Sequence, residues 1–439
     1  ADGVLLAAAP LLAATLTRDP LLVAALIIAQ RLPWLLFTLP SGVIVDRLDR
    51  RHVMLAANGL RGIALALLAI LVAFGSGGLI ALYAVAFLVG IAETLADNAA
   101  IAILPPLVDD VDLERANGRI FATQSAANEL VGPPVGAALF AAAPAVAFAA
   151  AAAGFTLAAG LLSRIRGSFR AEPESAAEPG VAGDPPKRAL LAEMREGLRW
   201  FMGSRLFRLV AGMAAAVNFC SASALGILVL VAQERLGVNA TGYGLLLAVG
   251  AVGGIAGGFV AGPLVDRIGP GIALFVSNLL PAIGYAGLAV THSPYLAGVM
   301  LALFSAGGMV ANVVVITLRQ GAVPAHLLGR VTSAYRMVVL GALPLGALVG
   351  GVVAWEIGLT APLWTAAGIM GVMAVGLLPI LTNRAFIGAR TAQVRSEVDQ
   401  TCRDRARRWS RNRRRCLISG SPLAGIAVRS SVVALLTGD

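Results

Sequence analysis

Charged and amide side chains occur inside stretches of this sequence that are otherwise apolar. Glu93 and Asp97 lie one helical turn apart in one stretch, Glu129 follows Asn128 in another, and Arg31 is central in a third. A charge at the centre of a bilayer costs at least about 2.5–3.5 kcal/mol, so such residues are functional candidates by default. A carboxylate in a low-dielectric cavity is able to take up and release protons. The pattern therefore predicts that Glu93 and Glu129 carry protons and that Arg31 is their counter-charge.

Four further positions belong to this set of polar groups. Asp97 is nearer one end of its apolar stretch than Glu93 and is a candidate gate residue. Asn218, in the second half of the chain, is a candidate substrate contact. Asp2 and Arg61 add an acid and a base to the first half. The alternative for the charged residues is a set of buried ion pairs that only fix helix packing, and for Asn218 it is a hydrogen bond between helices.

The elements that hold these residues are predicted to be membrane-spanning helices. Of the 439 residues, 58% are hydrophobic and only 13% are charged, and the mean hydropathy is +0.83. Soluble domains are about one quarter charged. A helix that crosses the hydrocarbon core needs about 20 apolar residues, and the chain supplies about twelve such segments with short connections. The predicted fold class is therefore an all-α membrane protein.

The apolar segments fall into two sets of six, separated by a polar segment. The first set lies within residues 1–163 and the second within 207–382. The first apolar run, 3–16, spans only about 21 Å as a helix, so we expect the first span to be truncated. The segment 164–206 is predicted to be a cytoplasmic linker. Its part 187–202 is predicted to be an amphipathic helix on the membrane surface, the alternative being a plain solvated helix.

The distribution of basic residues sets the orientation. Thirty of the 34 Lys and Arg residues fall on the side of the predicted topology that carries the loop 47–51, and only Arg18 and Arg235 fall on the other side. Basic loops stay in the cytoplasm, so the first side is predicted to be cytoplasmic, together with the C-terminus. The basic tail, 383–439, is predicted to be disordered, with binding to anionic lipid headgroups as the alternative.

Short motifs recur between the two sets of segments and indicate an internal repeat. The matched positions are Gly42, Asp46 and Arg47 with Gly262, Asp266 and Arg267; Gly118 and Arg119 with Gly329 and Arg330; and Pro134 and Gly136 with Pro344 and Gly346. Each set has an even number of segments, so both copies have the same orientation and are related by an axis along the membrane normal. This arrangement places a substrate cavity between the copies, near the midplane.

Several chemistries are excluded by motifs that the sequence lacks. No G-x-x-x-x-G-K-[ST] loop is present, so a P-loop does not couple ATP to this chain. The three histidines and three cysteines have neither metal-site nor catalytic spacing. Most of the net charge of +10 lies in the tail, so it does not indicate nucleic-acid binding. We expect no enzyme activity, no cofactor, no metal site and a monomeric chain.

The stretch from Gly42 to Arg51 reads G-x-x-x-D-R-x-x-R-R and, with its second copy and the two sets of six segments, resembles the major facilitator superfamily. The resemblance extends to about residue 385. Three further stretches resemble the bacterial efflux branch, which contains macrolide-efflux and enterobactin-exporter-like permeases: Leu16-Thr17-Arg18-Asp19-Pro20, Arg31-Leu32-Pro33-Trp34 and Ala116-Asn117-Gly118-Arg119. The resemblance implies twelve helices in two pseudo-repeats, multi-pass in a bacterial cytoplasmic (inner) membrane.

The resemblance also implies a gate on the cytoplasmic side. There Asp46 would meet the N-terminus of helix eleven, near Arg330, because an anion is favoured at a helix N-terminus. Arg119 would complete a charge cluster that locks the outward-open state. The other predicted members of the gate are Gly42, Arg47, Arg50, Arg51, Asp266 and Arg267. The alternative is a solvated hairpin that only fixes topology. The family pattern usually has Gly where Asp49 stands, so we expect a different turn here.

A proline–glycine motif in the fifth helix resembles that of drug–proton antiporters. It reads Gly132-Pro133-Pro134-Val135-Gly136. Proline removes a backbone donor and bends a helix, and glycine allows close packing, so the motif is predicted to kink a helix that rocks. Helix packing alone is the alternative.

Taken with the acids, the resemblance implies a secondary active transporter with a small-molecule substrate. The expected activity is proton-coupled export of a drug-like or siderophore-like compound by alternating access. Efflux relatives in other branches use an arginine in helix four, which this helix four lacks, so their coupling scheme does not transfer directly. An importer or facilitator on the same fold, or a truncated non-transporting membrane protein, is the alternative.

Overall fold

The computed structural model describes residues 1–104, 112–165, 205–322 and 328–381, with positions 108, 167, 169, 202 and 203. The regular structure in these residues is helical. The α-helices are α1 (Asp2–Leu16), α2 (Pro20–Arg47), α3 (Arg50–Ala73), α4 (Leu79–Ile103), α5 (Leu113–Ser125), α6 (Gly132–Ala142), α7 (Pro144–Arg164), α8 (Arg205–Leu225), α9 (Leu228–Leu230), α10 (Ala240–Val290), α11 (Pro294–Ala322), α12 (Leu328–Ile357) and α13 (Ala361–Leu381). π-helical segments follow α5 (Ala126–Val131) and α9 (Val231–Arg235).

Nine helical segments of the described chain are long and apolar enough to cross a membrane. Two shorter apolar segments, Asp2–Leu16 and Ala361–Gly376, accompany them. Most of the predicted surface helix, 187–202, and the predicted tail, 383–439, lie outside the described residues. The described part is therefore all-helical, as the composition predicts.

The helix α10 contains two predicted spans joined without a loop. The predictions place spans at 243–265 and 271–290, and the break between them is a single residue, Gly269, with φ +80°. Glycine adopts positive φ without the steric penalty that other residues meet. Asp266 and Arg267 therefore lie exposed in the last helical turn before the break.

The helix α5 begins earlier than its hydropathy indicates. The sequence places a polar connection at 105–119, whereas the helix begins at Leu113. Leu, Glu, Arg and Ala in its first turn are good helix formers, so the helix continues beyond its apolar part. Hydropathy marks where a helix enters the membrane and not where the helix begins.

The N-terminal helices α1–α7 meet the C-terminal helices α8–α13 chiefly through two pairs of helices, with smaller contacts from α1 and the first π-helical segment. The helix α2 packs against α12, and α6 packs against α10. A Cβ added to Gly351 would lie 3.0 Å from the Cα of Leu21, and one added to Gly244 would lie 2.7 Å from the carbonyl oxygen of Pro133. The backbones therefore approach closely at both places.

These close approaches lie at one end of the helices, which we call the Arg18 end because it carries that residue. There the guanidinium of Arg18 donates a hydrogen bond to Oε1 of Gln233 at 2.7 Å. At the opposite end, which carries the connection between α2 and α3 and is called the hairpin end, eight consecutive residues of α5, 117–124, are exposed. Eight residues cover every face of a helix, so this end of α5 stands away from its neighbours.

Candidate functional site

A cavity of about 240 Å³ lies among the N-terminal helices. It is lined by side chains of α1, α2, α3, α4, α7 and the π-helical segment after α5. Four of the predicted site residues line it together: Arg31, Glu93, Asn128 and Glu129. Asp2 adds a third carboxylate. The remaining lining residues are Gln30 and the mainly apolar set Leu5, Leu6, Ala9, Leu65, Leu68, Leu82, Val85, Ala86, Val89, Gly90 and Phe148.

The π-helical segment brings Asn128 and Glu129 to the cavity. The backbone N–H of Gly132 bonds to the carbonyl of Ala127, five residues earlier. Pro133 and Pro134 have no N–H to donate to the carbonyls four residues before them, so the preceding turn loses its α-helical bonds. Single π turns of this kind are frequent at functional sites. The proline pair therefore sets the geometry of the turn that carries Glu129.

Two glycines allow α1 and α4 to approach the same site. A Cβ added to Gly3 of α1 would lie 2.7 Å from the carbonyl oxygen of Asn128. A Cβ added to Gly90 of α4 would lie 2.8 Å from the carbonyl oxygen of Gln30. Gly90 lies one turn before Glu93, so this contact brings the Glu93 carboxylate within electrostatic range of Arg31 on α2.

Arg61 on α3 is the most deeply buried charge beside this cavity, with 4% of its surface exposed. Its Nη1 lies 3.8 Å from Oδ1 of Asp2, and its guanidinium carbon lies 5.0 Å from the centre of the Phe155 ring. A cation over an aromatic face gains about 0.5–2 kcal/mol. The sequence indicated Arg61 as a charge in an apolar run but did not indicate its partners, which come from α1 and α7.

Asp97 and Asn218 lie away from the lining of the cavity. Asp97, one turn beyond Glu93 on α4, interacts electrostatically with Arg61 and Asp2. Asn218 on α8 donates from Nδ2 to the carbonyl oxygen of Val339 on α12 at 2.9 Å. The Asn218 amide thus forms a hydrogen bond between two helices, which was the alternative to substrate contact.

The hairpin between α2 and α3 is a two-residue connection capped by Asp49. The Asp49 carboxylate accepts hydrogen bonds from the backbone N–H groups of Arg51 at 2.9 Å, His52 at 3.3 Å and Phe169 at 3.0 Å. Burial raises the pKa of Asp49, but the N–H donors of Phe169, His52 and Arg51 outweigh it and hold the pKa below its ordinary value. The turn therefore uses the Asp49 side chain as the N-cap of α3.

Arg51 joins the hairpin to the end of α7. Its Nε donates to the carbonyl oxygen of Leu162 at 3.0 Å, and its Nη2 donates to that of Ser163 at 2.6 Å. Carbonyl groups at a helix C-terminus have no partner within the helix, and a cation there is favoured by the helix dipole. These contacts all lie within the N-terminal helices.

The remaining predicted gate residues are separate from one another where the structure describes them. Arg47 and Arg119 are exposed at the hairpin end, as are Asp266 and Arg267, and Arg50 is half-buried. Gly42 and Asp46 lie in α2 and Arg330 lies in α12, but their side chains are outside the described part. The lock formed by Asp46, Arg119 and the start of predicted helix eleven, which corresponds to α12, stays a prediction.

Solved structures of similar architecture define the class of fold. The nucleoside transporter NupG aligns with a TM-score of 0.66 at 12% identity, covering 86% of this chain and 95% of that one. A bacterial homologue of the iron transporter ferroportin, in its inward-facing state, aligns with a TM-score of 0.63 at 17% identity, covering 87% and 97%. This is the major facilitator fold, so the chain is an all-helical, multi-pass membrane protein.

Over residues 4–396 the chain matches the family described as "Transmembrane secretion effector", and it belongs to that family of the major facilitator superfamily. The enterobactin exporter EntS of Escherichia coli O127:H6 is 26% identical over 346 residues, 78% of each chain. The EntS of Salmonella typhimurium is 28% identical over 296 residues, 67% of each chain. The protein is therefore a secondary transporter and not an enzyme, and it acts on a small molecule at a membrane.

Proposed function

We propose that this protein exports a drug-like or siderophore-like small molecule in exchange for protons. The observation that carries the proposal is the cavity lined by Asp2, Glu93 and Glu129 among apolar side chains. Among the described lining residues Arg31 alone balances these acids, and Arg61 pairs with Asp2 beside the cavity. Ionising all three acids leaves uncompensated charge in a low-dielectric site, which favours binding of a proton. The apolar lining suits a lipophilic substrate.

The proposed topology is twelve spans in two bundles, residues 1–163 and 207–382. We assign the hairpin end to the cytoplasm because basic residues concentrate there. The exposed end of α5 and the contacts at the Arg18 end then correspond to a state open to the cytoplasm. An exporter loads its substrate in this state. The proposed location is the bacterial inner membrane, with the C-terminus inside.

The direction of transport rests on the relatives. Both relatives described above are named as exporters of enterobactin. We therefore propose export as the direction.

In the proposed cycle, Glu93 and Glu129 lose protons to the cytoplasm when the substrate binds and are protonated again from the outer side. The cluster of Asp46 and Arg119 with the start of α12 closes the hairpin end after loading and stabilises the outward-open state. The kink that follows Glu129 lets α5 and α6 change their relative angle during closure.

The test uses everted membrane vesicles from cells that produce the protein. Respiration acidifies the vesicle lumen, so an exported compound enters the lumen while protons leave it. A fluorescent pH probe records the loss of the gradient when each compound is added. A panel of lipophilic dyes and siderophores supplies the compounds, and accumulation of a responding compound is then measured directly.

Glu93→Gln and Glu129→Gln are expected to abolish accumulation against a gradient. Glutamine keeps the size of each side chain but removes the titrating group. Glu356→Gln is the matched control, because Glu356 is an exposed glutamate near the end of α12 and does not line the cavity. Uphill accumulation by both cavity variants would show that the proton assignment is wrong. Movement that only follows the concentration gradient, in the unaltered protein, would instead indicate a facilitator.

A further inference from the structure

Arg61 has more hydrogen-bond donors than its surroundings satisfy. The side chain is almost wholly buried, and within the described residues its Nε and Nη2 meet no acceptor. Its Nη1 faces Asp2 at 3.8 Å, a long distance for an ion pair with direct hydrogen bonding. A guanidinium buried in this way needs acceptors for all sides of its fork. The observed arrangement therefore leaves two donors of this side chain available to a further acceptor.

The second acceptor must come from the helices that pack against α3. The helix α4 carries Glu93 and Asp97, and both interact electrostatically with Arg61. The helix α2 carries Arg31, which acts on Glu93. The helix α7 presents the Phe155 ring, and its single charged residue, Arg164, is its last. Glu93 already has Arg31 beside it, which leaves Asp97 as the acid that depends on Arg61.

We propose that Arg61 is a positioning residue that changes partner, binding Asp2 when Asp97 is protonated and Asp97 when Asp97 is ionised. Ionised Asp97 is a carboxylate in a poorly solvated position that interacts electrostatically with Arg61, whose Nε and Nη2 groups have no acceptor among the described residues. The planar fork allows a guanidinium to offer these groups without leaving its place over Phe155. A lysine has a single charged nitrogen, so it lacks the separate Nε and Nη groups by which a guanidinium turns from one acid to the other.

The change of partner couples the protonation of Asp97 on α4 to the ion pairing of Asp2 in the cavity wall. Asp2 lines the cavity together with Leu5, Leu6 and Ala9 of α1. When Arg61 turns to Asp97, the Asp2 carboxylate loses its counter-charge and becomes available to a proton or a substrate. The effect of the partner change on proton or substrate binding rests on the proposed function. The change of partner itself is a property of the folded chain, and it is tested without measuring transport.

The test measures the unfolding temperature of the purified full-length chain in detergent micelles across about pH 5 to 8. In Arg61→Gln, we expect the unfolding temperature to fall by several degrees as the pH rises, because Asp97 then ionises without a counter-charge. The double variant Arg61→Gln with Asp97→Asn is expected to lose this extra pH dependence. Arg61→Lys is expected to behave between Arg61→Gln and the unaltered protein.

The matched control is Arg235→Gln, since Arg235 donates hydrogen bonds to two backbone carbonyls, those of Val290 and Thr291. It is expected to lower the unfolding temperature equally at every pH, as a purely structural loss does. The proposal is overturned if Arg61→Gln also shows a uniform loss. It is likewise overturned if Asp2→Asn, and not Asp97→Asn, removes the pH dependence of Arg61→Gln, since Arg61 would then serve Asp2 alone.

Discussion

Asp49 connects three parts of the N-terminal helices through one carboxylate. It caps the first turn of α3 and accepts the N–H of Phe169, beyond the end of α7. Arg51, two residues later, binds the last carbonyls of α7. The hairpin therefore holds α3 and α7 together at this end of the protein. This role is additional to the topology and gating roles that its sequence suggests.

Replacing Asp49 with Ala is expected to destabilise the protein by about 0.5–2 kcal/mol, the usual loss for a helix N-cap. Thermal or denaturant unfolding in detergent measures the change. Asp112→Ala is the matched control, because Asp112 precedes α5 without a side-chain cap hydrogen bond. An equal loss in the two variants would contradict the capping role.

The Asp49 carboxylate also predicts that the stability of the folded protein falls at acidic pH. Its pKa in the folded protein lies below the ordinary value of 3.8. A lowered pKa means that ionised Asp49 contributes stability above about pH 4, and that this contribution is lost as the pH falls through the lowered value. The stability difference between the unaltered protein and Asp49→Ala is therefore expected to shrink below that pH.

Charged residues in apolar stretches of the sequence indicated the candidate functional residues. They did not indicate which side chains surround each candidate in the fold. Arg31 and Arg61 look alike in the sequence, since each is a lone base in an apolar run. In the structure Arg31 is exposed to the cavity, whereas Arg61 is buried against Phe155. The difference depends on α7 and α1, which lie far away in the chain. Spacing along one helix contains no information about such partners.

The turn between α5 and α6 is the least regular element of the site. Its π-helical bonds, the two prolines and the close approach of α1 occur within a few residues of Glu129. Gly132 and Gly136 face Gly3 and Val4 of α1 at backbone contact distance. The position of Glu129 thus depends on how tightly α1 packs against α6.

Gly136→Ala is expected to lower stability by about 1–3 kcal/mol, because its methyl group would overlap the Val4 carbonyl. It should also reduce transport by displacing Glu129. Gly160→Ala, in α7, is the control, since no neighbouring atom lies within 4 Å of the added methyl group. Unfolding temperature and vesicle accumulation measure the two effects. Equal stability of the two variants would exclude the close contact.

At the scale of elements, hydropathy located the spans better than their ends. The helix α10 continues through polar residues up to the break at Gly269. The helix α5 likewise begins in polar residues, before its apolar part. The prolines at 133 and 134 indicated a kink, but the sequence did not indicate that the turn before them has π-helical hydrogen bonds. The hydropathy of a sequence directly gives the length of each apolar segment. Irregular backbone hydrogen bonding is indicated only by the positions of proline and glycine.

At the scale of the whole molecule, the described helices are closed at the Arg18 end by contacts between the N-terminal and C-terminal sets. Backbone packing there involves Gly351 against Leu21 and Gly244 against Pro133. The polar contact is Arg18, which binds Gln233 and lies 3.8 Å from Glu234. The proposed alternating-access cycle requires this end to open, so these contacts must be weak enough to break in each cycle.

Arg18→Gln is expected to shift the population toward a state that is open at the Arg18 end. An exposed ion pair contributes about 0.2–1 kcal/mol, so the ratio of the two states should change by at most about fivefold. Spin labels at Leu16 and Val290, which are exposed at this end, report the opening as a longer distance. Labels at Phe121 and Met337, exposed near the opposite end, report closure there as a shorter distance.

The control for this shift is Arg115→Gln. Arg115 forms an exposed pair with Asp112 at 3.5 Å, three residues away, so its loss changes a similar surface charge without separating the two sets of helices. A rocking motion couples the two ends, so in Arg18→Gln the lengthening at one end and the shortening at the other must occur in the same fraction of molecules. Lengthening at the Arg18 end alone would indicate local fraying of α1 and α2, and it would contradict a rigid-body movement of the two helix sets.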